Sequence, residues 1–164
     1  MPAFSFKEQF VPFVKDGSKP GTIRAARKQI PRVGQLAHLY YAMRTKYCTK
    51  LVEDSPTIRS INGIYIGAKG EVAIMDVVIT KDNEADLLHY MNLLPKTHCL
   101  GAKLTWLTKK QKDALAWHDG FRSPDHPHSH RGCFDLMVKF WELPVISNYH
   151  LWGATVKEVI TPVK

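Results

Sequence analysis

The chain has 164 residues, 45% of them hydrophobic and 23% charged, which fits one globular domain and excludes a chain too polar to fold or too small to hold a core. No run approaches the roughly 20 apolar residues of a membrane span, and the N-terminus lacks the basic and apolar regions of a secretory leader. A cytoplasmic protein with no membrane partner is therefore expected. A net charge of +8 sets up a positive field that favours polyanions such as nucleic acid.

In chain order, Ser5-Phe6-Lys7-Glu8 has capping-box spacing, and Phe6, Phe10, Phe13 and Val14 would share one face of a helix that Gly17 ends. Pro12 leaves two options, a kinked helix or one that begins near Pro12. Gln35 to Met43 reads as a strand with Tyr47 to Val52 as its partner. Thr57 to Ile66 and Val72 to Ile79 read as a hairpin around Gly67-Ala68-Lys69-Gly70. The spacing of Leu87, Leu88, Met91 and Leu94 predicts a helix over Asn83 to Leu94, followed by a strand at Ala102 to Trp106. Thr108-Lys109-Lys110-Gln111 is a second capping box, and Gly120 stops its helix. Residues 122–130 form a polar loop, Cys133 to Trp141 a further helix, and Tyr149 to Ile160 a closing strand. Strands interspersed with short helices give an α+β domain, with no linker and no internal repeat.

The charge is unevenly spread. Residues 15–50 carry Lys15, Lys19, Arg24, Arg27, Lys28, Arg32, Arg44, Lys46 and Lys50 against the single acid Asp16. Within this stretch, Lys19-Pro20-Gly21-Thr22-Ile23-Arg24 places an ammonium, an alcohol and a guanidinium in one turn and strand entry. Gly17, Pro20 and Gly21 shape a tight backbone that a ligand can approach. Once the chain is extended, Thr22 and Arg24 point the same way. A hydroxyl beside a guanidinium suits an anion, a base edge or a developing oxyanion. Tyr40 and Tyr41 fall on opposite faces of their strand, so only one of them can stack on a base. Arg44 can add a phosphate contact, and the equal alternative is that the tyrosines belong to the core.

Several blocks together resemble one family. Phe4-x-Phe6-x-x-x-Phe10 followed by Gly17-x-Lys19-x-x-Thr22-Ile23-Arg24 is similar to the start of an ASCH domain, and Val33 to Tyr40 resembles that family's first barrel strand. Tyr41 to Leu51 is similar to the strand–turn–strand of its bacteriophage and prophage branch, with Ala42 where that branch usually has glycine. Leu115-Ala116-Trp117-His118-Asp119-Gly120-Phe121-Arg122-Ser123 resembles the family's acidic-Gly-Phe step before its last helix. The resemblance covers residues 1–66 well and 107–160 more loosely. Residues 71–106 read as an insertion, and 122–132 as a lengthened loop.

The resemblance implies a PUA-like β-barrel with flanking helices and an RNA- or nucleotide/nucleoside-binding cleft whose floor is Lys19 to Arg24, with Arg27, Tyr40 and Arg44 as further ligand contacts. Some members hydrolyse the acetyl amide of N4-acetylcytidine with a Lys–Thr–Glu set, which maps here onto Lys19, Thr22 and Asp119. Aspartate replaces the glutamate and is one methylene shorter, a displacement of about 1 Å. Other members have been assigned ribonuclease activity. A phage product that binds a host protein through residues 71–106 is a further alternative.

His126, His128, His130 and Cys133 invite a zinc reading, yet alternating histidines in a proline-containing loop do not readily close a tetrahedron, so a flexible polar loop is expected and no metal is assigned. Cys48 has no histidine beside it and reads as a small buried residue rather than a nucleophile. Trp106, Trp117, Trp141 and Trp152 are expected mostly in the core. The three cysteines, an odd number without a Cys-x-x-Cys pair, read as free thiols. No P-loop or G-x-G-x-x-G signature occurs, and no cofactor is expected.

Overall fold

In the computed structural model, which describes residues 2–93 and 97–162, the chain opens with a strand. β1 (Ala3–Phe6) leads through a short 3-10 turn (Glu8–Phe10) into α1 (Val11–Lys15), then β2 (Gly21–Arg24), β3 (His38–Tyr41) and β4 (Thr49–Lys50). There follow β5 (Ser60–Ile66), β6 (Val72–Met75), α2 (Glu84–Leu93), β7 (His98–Cys99) and β8 (Ala102–Trp106). α3 (Lys109–His118), α4 (Cys133–Phe140), β9 (Val145–Leu151) and α5 (Val156–Ile160) complete the order. No helix among the described residues is long and apolar enough to cross a membrane.

The α+β expectation holds, but the strands form two open sheets rather than one closed barrel. One sheet has the order β1-β3-β4 and the other β2-β9-β5-β6-β8-β7, with an isolated bridge between Leu36 and Thr57. Residues 71–106 supply β6, α2, β7 and β8, and they surround a second apolar cluster of Tyr65, Met75, Leu87, Met91 and Leu104. Leu94, expected on the buried side of α2, lies outside the described residues.

Several boundaries differ from the sequence reading. Ser5 does not cap a helix. Phe4 and Phe6, two residues apart, are both buried, and that period of two fits the strand they occupy. The Ser5 hydroxyl accepts from the Met43 backbone N–H at 3.2 Å instead. The helix begins at Val11, the second of the two options at Pro12, because proline in a first turn sacrifices no hydrogen bond. Gly17, at φ 79°, ends it. The strands expected at 35–43, 47–52 and 72–79 are shorter. Between β3 and β4 the chain turns through Ala42 at φ 50° and Arg44 at φ 68°, the left-handed region that costs a non-glycine residue about 1–2 kcal/mol. Cys48 is exposed beyond this turn, not buried. The closing strand expected at Tyr149 to Ile160 is instead β9, Val145–Leu151, which overlaps it only at Tyr149, His150 and Leu151, and Val156–Ile160 forms a helix. Thr155 then caps α5 by accepting from the Glu158 N–H at 3.2 Å.

Two features fix the ground on which Lys19 to Arg24 stand. β9 is an interior strand, second from the sheet edge and buried along nearly its whole length, with β2 and β5 antiparallel on either side. The Pro20 carbonyl accepts from the N–H groups of Trp152 (2.9 Å) and Gly153 (3.0 Å), pinning the turn before β2 to the end of β9. On the opposite side, the Thr108–Gln111 capping box starts α3 as expected, and Gly120, at φ 95°, stops it directly after Asp119. A Cβ at Gly120 would lie 2.7 Å from the Phe10 ring. Gly120→Ala is therefore expected to cost about 1–3 kcal/mol, from crowding and from the left-handed backbone together. Urea denaturation of the two proteins measures it, and unchanged stability would show that Phe10 moves freely.

Candidate functional site

Three side chains that water should claim are buried together at the junction of β2 and α3. Lys19 is 2% exposed, Thr22 4% and Asp119 4%. The Lys19 backbone N–H donates to Phe13 at 2.9 Å, so the turn after α1 carries the side chain inward. There its Nζ donates to both the carboxylate Oδ1 and the backbone carbonyl of Asp119, the C-cap residue of α3. The ammonium also lies 5.0 Å from the centre of the Phe10 ring and 5.9 Å from that of Phe6.

Thr22 and Arg24, alternate residues of β2, share a face as expected. Arg24 Nε donates to Thr22 Oγ1 at 3.1 Å, and its Nη2 donates to the Ser5 carbonyl at 2.6 Å. The four polar groups thus divide into two pairs, Lys19 with Asp119 and Thr22 with Arg24. Because the Thr22 oxygen accepts from Arg24, its own proton remains available to another acceptor.

All four line a cavity of about 370 Å³, inside the range of small-molecule sites. Its walls are aromatic: Phe6, Phe10, Phe121, Phe140 and Trp141. Phe10, Phe121 and Phe140 meet edge to face with centroids 5.3–5.8 Å apart, a rigid packing. The indole N–H of Trp141, another lining residue, is buried without a partner. Neither Trp141 nor Phe140 was singled out as a site residue by sequence.

Burial pushes the Lys19 ammonium down from its ordinary value, and the attraction of Asp119 opposes it. Burial likewise pushes the Asp119 carboxyl up, against the pull of Lys19 and Arg24. Desolvation thus favours the neutral forms of both groups.

The remaining expected contacts lie elsewhere. Arg27 donates to the Ala3 carbonyl at 3.1 Å, sits 4.6 Å over Phe4, and faces a neighbouring groove with Lys28 and Gln35. Tyr40 is half-buried and paired across strands with Ser5 and Lys50, whereas Tyr41 packs against the core. Arg44 is exposed on the β3–β4 turn. Tyr40, Arg44 and Arg27 do not line the Lys19 cavity. The histidine loop is tied down by Trp117, whose Nε1 donates to the Pro127 carbonyl at 3.2 Å and whose ring lies 4.9 Å from that of His130. Among the described residues no group of three or more His, Cys, Asp or Glu side chains could hold a metal ion.

His150 escaped the sequence reading altogether. It is 1% exposed, it is the cross-strand neighbour of Thr22, and neither ring nitrogen has a hydrogen-bond partner. Burial holds its pKa at about 4, with Arg27 and Arg24 pushing the same way and the Thr22 backbone opposing.

Two stability predictions follow from these charges. Removing one member of the Lys19–Asp119 pair strands the other, so Asp119→Ala should cost about 3–5 kcal/mol at neutral pH. The double variant Lys19→Met/Asp119→Leu should recover most of that in denaturant titration, and equal damage in both would mean that shape, not charge, matters here. For His150, the unfolded chain takes up a proton below about pH 6.5, but the folded chain does so only near pH 4. Stability is therefore whole at pH 7 and falls between those limits by about 3 kcal/mol. His150→Phe should flatten that part of the profile, and an unaltered profile would assign the loss to other groups. Compared with known proteins, the chain matches no family model, no curated protein and no solved structure.

Proposed function

We propose that the chain is an ASCH-type, PUA-like domain that binds RNA or a nucleoside in the cavity floored by Lys19, Thr22 and Arg24. The observation that carries this reading is a cavity of about 370 Å³ with aromatic walls that also holds Lys19, Thr22, Arg24 and Asp119. Phe6, Phe10, Phe121, Phe140 and Trp141 offer apolar contact to a planar ring, while the Thr22 hydroxyl and the Arg24 guanidinium can meet its polar rim. Arg24 supplies positive charge where water is excluded, so a contact there counts for more than on the surface. The charge of +8 would draw a polyanion to that mouth.

Binding to short RNA should weaken steeply between 50 and 200 mM salt. Arg24→Gln should weaken it about tenfold or more, the worth of a charge-assisted contact, and lower the salt slope. Salt-independent binding, or none to RNA or nucleosides, would reject the reading.

The division into two polar pairs favours a second reading, hydrolysis of an N4-acylated cytidine. With two N–H bonds directed at Asp119, a neutral Lys19 amine keeps its lone pair for the Thr22 proton. Thr22 Oγ1 would attack the acyl carbonyl, and Arg24 would steady the oxyanion. Collapse would break the C–N bond, with the protonated Asp119 or Lys19 returning a proton to the leaving amine. Water would then cleave the acyl-threonine ester to carboxylate. Release of cytidine and acetate from N4-acetylcytidine, abolished in Thr22→Val, is the expected result; turnover that survives Thr22→Val would exclude Thr22 as nucleophile.

A further inference from the structure

Beside the Lys19 cavity lies a larger hollow of about 990 Å³, and the two share Phe121 and Phe140 as a common wall. Arg122 anchors it. The guanidinium carbon lies 4.0 Å from the centre of the Phe13 ring and 3.8 Å from that of Trp117, a clamp between two aromatics. Its Nε donates to the Trp117 carbonyl at 3.2 Å, and its Nη2 to the carbonyl and hydroxyl of Ser18 at 3.0 and 2.9 Å. Held on both faces and at two nitrogens, Arg122 presents a fixed positive charge whose ordering cost has already been met by folding.

Lys139 and His128, both exposed, add to the same lining. Asp16 is its acid. That carboxylate already accepts from the Ser18 N–H and hydroxyl, and Arg122 lies close enough to offset its charge. Between the two hollows stands Phe140, 40% exposed, with the Lys7 ammonium 4.6 Å from its ring centre. An exposed ring flanked by two chambers, each with its own cation, matches a ligand of alternating flat rings and negative links.

We propose that the hollow takes the nucleotide next to the one in the Lys19 cavity, so that the ligand is a single strand of RNA and not a free nucleoside. The neighbouring base stacks on Phe140, and the linking phosphate meets Arg122 and Lys139. This inference rests on the nucleoside reading of the Lys19 cavity.

The test is titration calorimetry at 50 mM salt with two probes, N4-acetylcytidine and a ribohexamer of cytidines carrying one central N4-acetylcytidine. Wild-type protein should bind the hexamer at least about tenfold tighter than the nucleoside, a gain of one stacked base and one phosphate contact. In Lys139→Glu, and separately in Phe140→Ala, that ratio should fall at least about threefold. Equal affinity for both probes in the wild type, or a ratio that neither variant lowers, would overturn the proposal while leaving the cavity reading intact. Hexamer binding that depends on Lys139 but is unchanged in Arg24→Gln would overturn the cavity reading and, with it, the assignment of the hollow to the adjacent nucleotide. Binding of neither probe removes both.

Discussion

The placement of one buried ammonium against one buried carboxylate constrains much of this molecule. Lys19 and Asp119 are 100 positions apart, and their contact joins the turn that enters β2 to the end of α3. Both groups leave water on folding, and such a pair contributes little net stability compared with apolar residues of the same size. Its value lies in what it orders. With Asp119 held, Gly120 and Phe121 take up fixed positions, and Phe121 in turn packs on Phe10 and Phe140. The aromatic wall of the cavity is thus built on the same contact as its polar floor.

The division of polar groups has a chemical consequence. Had Lys19 bonded directly to Thr22, the strand would carry an isolated nucleophile and base, with the carboxylate left as a separate buried charge. Instead Arg24 orients the hydroxyl, and Asp119 compensates the lysine. Each cation has an oxygen partner, yet burial still presses Lys19 and Asp119 towards their neutral forms. A ligand entering the cavity meets groups already in place, so little reorganisation is needed on binding. The proton inventory of the pair, rather than its net charge, is the property that differs between a binding site and a catalytic one.

The unusual polarity of β9 belongs to the same account. An interior strand buried along its length normally reads as an apolar run. Here Ser147, Asn148, Tyr149 and His150 follow one another within it. Asn148 is fully employed, accepting from the Ile79 N–H at 2.7 Å and donating to its carbonyl at 2.8 Å, which fixes the chain after β6. The His150 ring nitrogens and the Tyr149 hydroxyl are buried without partners, on the strand paired with β2. Their cost is borne next to the candidate site, where buried polar groups concentrate in this fold.

What the sequence determined by itself was local. The Thr108–Gln111 box, the stop at Gly120, the turn at Gly17 and the shared face of Thr22 and Arg24 all depend on hydrogen bonds or backbone preferences within a few residues, and each is found where the sequence places it. What only the tertiary structure decided were choices between two local options. Ser5 to Glu8 has a helix-start signal, but pairing with β3 made Ala3 to Phe6 a strand, because there Phe4 and Phe6 both reach the core. The strand expected at Tyr149 to Ile160 moved back to Val145–Leu151 through pairing with β2 and β5 on either side, and Val156–Ile160 became a helix. The same holds for the cavity. The motif carries the ammonium, alcohol and guanidinium, but Phe140 and Trp141 arrive from the end of α4, over a hundred residues downstream, and no local pattern marks them as walls of a site. Burial is a property of what packs on a residue, and that information is spread along the whole chain.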